Sequence, residues 1–97
     1  MRLCAMVALV LLSTNASAAG EEACKKVSAM AGSAMEFRQN GALLEDAMSS
    51  VDDKSDFSKA VVMKAYETPV SNGAKAKQSA ISEFRNQAYL QCYSANN

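Results

Sequence analysis

The chain has no histidine and no tryptophan, and only one proline and four glycines in 97 residues. Without histidine there is no Ser-His or Cys-His nucleophile pair. The side chain that most readily changes charge near neutral pH is missing as well. A Ser-Lys pair is the arrangement left, but Ser58 and Lys59 are adjacent and would point in different directions on a helix, while Ser71 and Lys75 flank a helix start. Scarce proline and glycine leave little to interrupt helices, and abundant Ala, Met, Lys, Glu and Gln favour helix over strand. An excess of charge is lacking too, with ten basic and ten acidic residues. A chain so balanced has no electrostatic handle for duplex nucleic acid or an anionic membrane. The expectation is a protein that is not an enzyme and carries no cofactor.

Only one stretch is continuously apolar. Met1-Arg2 is a short positive start, and Leu3 to Leu12 follow without a polar residue. Ser13-Thr14-Asn15 breaks the run, and Ala16-Ser17-Ala18 offers small residues to a peptidase. This order reads as a secretory signal peptide over residues 1–18, cleaved after Ala18 or, as second choice, after Ala19. The run is too short for a bilayer, which needs roughly 20 residues, so no membrane insertion is expected after cleavage. Glu21 and Glu22 before Cys24 do not suit a lipid-attachment site. The expected address is the periplasm or the exterior.

Cys4 would leave with the leader, and Cys24 and Cys92 remain. An even number of cysteines in an oxidising compartment makes a disulfide the default. Two cysteines without histidine cannot supply a four-ligand zinc site unless carboxylates complete it, and no metal is expected. The acidic residues Asp52, Asp53 and Asp56 suggest calcium, but an EF-hand loop begun at Asp52 would find Lys54, Phe57 and Met63 where oxygen, Gly and Glu are needed. Acids before a helix, favoured by its dipole, are the plainer explanation.

Residues 19–97 read as a single all-α domain, a small disulfide-closed bundle of three to four helices. The first helix is expected over about Glu21 to Arg38. Ala23, Val27, Met30, Ala34 and Phe37 form one stripe, and Cys24, Ala31, Met35 and Arg38 a neighbouring one. Asn40-Gly41 is a stop signal. A short helix is expected from about Leu43 to Ser50, burying Leu44, Ala47, Met48 and Val51, with no good N-cap at its entry. Asp53 or Ser55 can cap a third helix over about Lys54 to Glu67. Phe57, Ala60, Val61, Ala65 and Tyr66 should face inward, with Val62 and Met63 undecided, and Pro69 ends it. The last helix should run from near Ala74 to about Tyr93 with Ile81, Phe84, Ala88 and Cys92 on one face. Leu90 lies off that face, free for a second element or an oligomer partner. A Cys24–Cys92 bridge would set the first and last helices antiparallel.

Met30, Met35, Met48 and Met63 either fill the core or line an adaptable partner groove, and core filling is the ordinary role. Tyr66, Tyr89 and Tyr93 are the candidate partner face, since tyrosines are common both at interfaces and at core edges. Arg38, Glu67 and Arg85 are candidates for surface ion pairs.

Cys24, then Arg38-Gln39-Asn40-Gly41, then Ala65-Tyr66-Glu67-Thr68-Pro69, then Phe84-Arg85-Asn86 and Cys92-Tyr93 form an ordered set. The set resembles a group of small uncharacterised secreted proteins of proteobacteria and their phages. The resemblance spans nearly the whole chain after the leader and implies a Gram-negative periplasm, with a prophage as one source. It brings no catalytic or ligand residue with it. The sequence departs from the group at Ala42-Leu43-Leu44, where a polar or capping residue would follow the glycine. The functional expectation is a non-enzymatic module that binds an unknown protein, or a second copy of itself as a homodimer. The alternatives are an acid-stress periplasmic holdase or an inhibitor of a cell-wall hydrolase.

Overall fold

This computed structural model describes residues 2–51 and 55–96. Among them are four helices and no strand: α1 (Arg2–Gln39), α2 (Leu44–Ser50), α3 (Asp56–Tyr66) and α4 (Ala74–Asn96). The all-α class is as expected. The start of α1 is not, because it begins at Arg2 instead of about Glu21. The physical reason lies in the composition. Leu, Ala and Met dominate residues 3–12, and Gly20 alone costs only about 1 kcal/mol within a helix. No proline or glycine pair lies between Arg2 and Gln39 to stop propagation. At about 1.5 Å per residue this helix accounts for most of the 62 Å length of the molecule.

The C-terminus of α1 closes as the Asn40-Gly41 signal requires. Gly41 takes φ +81°, a left-handed conformation that a side chain would strain. Its amide donates to the Arg38 carbonyl at 3.1 Å, and the Ala42 amide donates to the Phe37 carbonyl at 2.9 Å. This pair of bonds is the Schellman closure. Leu43 then holds the N-cap position of α2 and makes no side-chain cap bond, matching the weak entry seen in the sequence. Ser55 caps α3, its Oγ accepting from the Ser58 amide at 3.2 Å. The other cap candidate, Asp53, lies outside the described residues, as do Asp52 and Lys54.

α1 is the spine. α4 packs along it, while α2 and α3 pack against it and each other. The two stripes on α1 separate these duties. Val27, Met30 and Ala34 look toward Ala47, Val51 and Val62. Cys24, Ser28 and Gly32 meet α4 through Cys92 and Arg85. Cys24, Ala31, Met35, Ala47, Val62 and Ala65 are buried, and Ala23 is exposed.

The inward face of α3 differs from the expectation. Ser58, Val62 and Ala65 are its buried residues, whereas Phe57 and Met63 are exposed at 57% and 55% and Ala60 is also exposed. Val61 and Tyr66 sit at the core edge. The helix is rotated so that Ser58 turns inward, and its hydroxyl meets the capping Ser55 Oγ at 3.2 Å. A hydroxyl satisfied locally can be buried at small cost, and this releases Phe57 to the surface. On α2, Ala47 is buried and Met48 and Val51 pack on the core edge, but Leu44 is 40% exposed. On α4, Phe84 is buried, with Ile81 and Ala88 packed beside it.

Candidate functional site

The Cys24–Cys92 disulfide is present, with Cα atoms 5.5 Å apart. It joins α1 to the last turns of α4, so the two helices run antiparallel. Cys24 is fully buried and Cys92 half-buried.

The ordered polar residues of the sequence form a clamp at the other end of the bundle. Arg38 Nε donates to the Thr68 carbonyl at 2.7 Å. Gln39, itself buried, donates from Nε2 to the Pro69 carbonyl at 3.1 Å and accepts the Ser71 amide on Oε1 at 2.8 Å. The same Nε2 is 3.5 Å from Met35 Sδ. A side-chain amide carries both donor and acceptor, so one glutamine satisfies two groups of a loop that has left regular structure. The Arg38 guanidinium lies over the Tyr66 ring, 5.3 Å from its centroid, close enough for a cation–π contact. Tyr66 Oη donates to the Ala42 carbonyl at 2.8 Å. Arg-Gln-x-Gly and Ala-Tyr-x-x-Pro are therefore two halves of one structural joint.

Phe84-Arg85 is structural as well. Phe84 enters the core, and Arg85 Nε lies 3.4 Å from Ser28 Oγ. The arginine stem crosses α1 at Gly32, where an added Cβ would come within 2.6 Å of Arg85 Cδ. An added Cβ there would push the flexible Arg85 stem aside. Neither arginine pairs with Glu67, which instead sits 3.8 Å from Lys64 on the surface.

The structure does not gather the three tyrosines. Tyr66 belongs to the clamp beside Arg38. Tyr89 and Tyr93 stack on each other, centroids 5.9 Å apart, near the disulfide. From Cys24 to Arg38 is about 21 Å along α1 at 1.5 Å per residue. Tyr66 is therefore remote from the other two. Tyr93 remains 40% exposed and Leu90 64% exposed.

A groove of about 490 Å³ lies between α1, α2 and α3. Val27, Met30, Ala34, Val51, Phe57 and Val62 form its walls, and Lys26 is its charged lining residue among the described residues. The sequence reading missed this groove because it placed Phe57 in the core. Its signal was Ser58, a polar residue at the buried register of α3. Among the described residues no group of His, Cys, Asp and Glu is arranged to hold a metal ion. Tyr66 has a perturbed phenol. Burial pushes its phenol above the ordinary 10.0, Arg38 pulls it down, and Asp46 adds a smaller upward push.

No family model, curated protein or solved structure matches the chain.

Proposed function

We propose that the chain is an exported, non-enzymatic protein-interaction module whose groove between α1, α2 and α3 receives an apolar segment of another protein. One observation carries this reading. The conspicuous polar residues Arg38, Gln39, Tyr66 and Arg85 are bonded within the scaffold, while Met30, Val51 and the exposed Phe57 ring line an open groove. Binding sites are commonly concave, apolar and edged by a few polar groups. Lys26 favours a partner segment with a carboxylate beside its apolar side chains. Methionine and phenylalanine adapt to such a segment with little loss of contact.

Export is supported by the leader pattern of residues 1–18 and by the disulfide, which suits an oxidising compartment. No helix among the described residues is long and apolar enough to cross a membrane.

The test is affinity capture from Gram-negative periplasmic extract with the mature chain, its Phe57→Lys variant and its Tyr89→Ala/Tyr93→Ala variant. A partner held by the first and third but lost by Phe57→Lys supports the groove. Loss only with the tyrosine changes moves the interface to α4. Recovery of no specific partner removes the reading. The holdase and hydrolase-inhibitor alternatives rest on size, compartment and the bridge. They are decided by light scattering of a client protein in acid and by a muralidase inhibition assay.

A further inference from the structure

We propose that the chain self-associates, with α1 packed antiparallel against α1 of a second copy and Lys26 of each copy inserted in a hollow on the other. The proposal goes beyond the groove reading and does not rest on it.

A hollow of about 140 Å³ lies on α1 itself, lined by Ser33, Glu36, Phe37 and Asn40. Their spacing is i, i+3, i+4 and i+7. Four neighbours so placed on one helix surround a knob from a facing helix in a coiled coil. Ser33 is small and exposed, Phe37 is half-buried, and Glu36 is exposed beside it. The side chain that suits this hollow has an apolar stem to lie on Phe37 and a positive tip for Glu36. Lysine has both.

The same face of α1 supplies that lysine. Lys26, Met30, Ser33, Phe37 and Asn40 recur at steps of four and three, so they form one seam. Lys26 and Asn40 are exposed and Met30 is half-buried. Among the described residues, α4 meets α1 on the flank of Ser28 and Gly32, while α2 and α3 meet it on the flank of Ala34. The seam lies between these flanks.

An antiparallel copy whose two-fold axis passes between Ala31 and Gly32 sets Lys26 against Phe37 and its neighbour Glu36. It also sets Met30 against Ser33, a long side chain against a short one. The symmetry repeats each contact. A parallel pair would oppose Lys26 to Lys26 and Glu36 to Glu36, and like charges so placed disfavour it. One helix thus carries both the hollow and the side chain that fills it, which is why the occupant is a second copy of this chain. Lys26, Met30 and Ser33 also edge the groove. Dimerisation covers that edge, so self-association and capture of a segment compete.

Sedimentation equilibrium of the mature, disulfide-bonded chain over a range of concentrations tests the seam. The parent should dimerise reversibly. Lys26→Glu places two acids at each hollow and Glu36→Lys two bases, so each variant should self-associate at least about tenfold more weakly. An equal mixture of the two variants should recover a dimer of parental strength, because opposite charges face each other again at both hollows. The mixture also separates repulsion from misfolding, since two misfolded chains would not restore one another. A parent that stays monomeric throughout overturns the proposal, as does a dimer that neither substitution weakens. A mixture that associates no better than its separate components overturns the antiparallel register and the proposal with it. The groove reading has its own readout in capture lost with Phe57→Lys, so the failure of one is distinguishable from the failure of the other.

Discussion

Gln39 shows how a small domain uses a buried polar side chain. It is as enclosed as the core methionine Met35, yet both ends of its amide are bonded to the loop after α3. Gln39→Ala leaves a carbonyl and an amide without partners, and each such group costs about 1–3 kcal/mol when shielded from water. A loss of about 2 kcal/mol in urea unfolding at pH 7 is expected, with little change in slope. Tyr66 gives a pH-dependent counterpart. Its folded pKa is raised above 10.0, chiefly by burial, so the folded state holds the phenolic proton more tightly than the unfolded chain. The stability this contributes is complete below pH 10 and is lost as pH rises through the folded value. Tyr66→Phe should cost about 1 kcal/mol at pH 7 through the lost bond to Ala42. Denaturant curves at pH 7 and above pH 10 should show the gap between the two proteins narrowing. The sequence displayed these residues in order but not their meeting, since Arg38 and Thr68 are 30 positions apart and no local periodicity encodes a contact of that span.

At the scale of the element, the helices were legible and their rotation was not always. α4 follows its apolar spacing, and the stop at Gly41 follows from one residue type. α3 misled because its apolar residues, Phe57, Val61, Val62, Met63 and Ala65, nearly encircle it, so periodicity alone does not choose a face. The choice falls to Ser58, whose polarity argued against burial until its capping neighbour is considered. α1 hid its limits in another way. Residues 2–20 and residues 21–39 are both good helix sequence, and nothing between them breaks it. Capping yields two opposite predictions. Ser55→Ala removes the bond to the Ser58 amide and should destabilise by about 1 kcal/mol. Leu43→Ser gives α2 the cap it lacks, removes a side chain that is 61% exposed, and should stabilise by up to about 1 kcal/mol. Thermal unfolding of both variants beside the parent checks the signs, and a stabilising Ser55→Ala would mean that another residue caps α3.

The whole molecule is a thin core closed by a long covalent loop. Among the described residues few large apolar side chains are fully enclosed, and small residues, Ala31, Ala34, Ala47 and Ala65, fill much of the interior. Such a core supplies little stability by itself, and small domains commonly add a staple. The bridge spans 68 positions, so it constrains α2, α3 and both clamp segments in the unfolded chain. The chain-entropy relation gives about 4 kcal/mol for a loop of this size. The groove escaped the sequence reading for a related reason. It is a shortage of filling between three helices, and a vacancy of that kind depends on how the helices are rotated, which spacing left open for α3. Replacing both cysteines by alanine removes the constraint without leaving a thiol to oxidise. That variant should melt roughly 15–30 °C below the oxidised parent, at about 4–8 °C per kcal/mol for a domain of this size. Calorimetry reads the shift, and a difference of only a few degrees would mean that the unfolded chain is already collapsed enough for the link to constrain little.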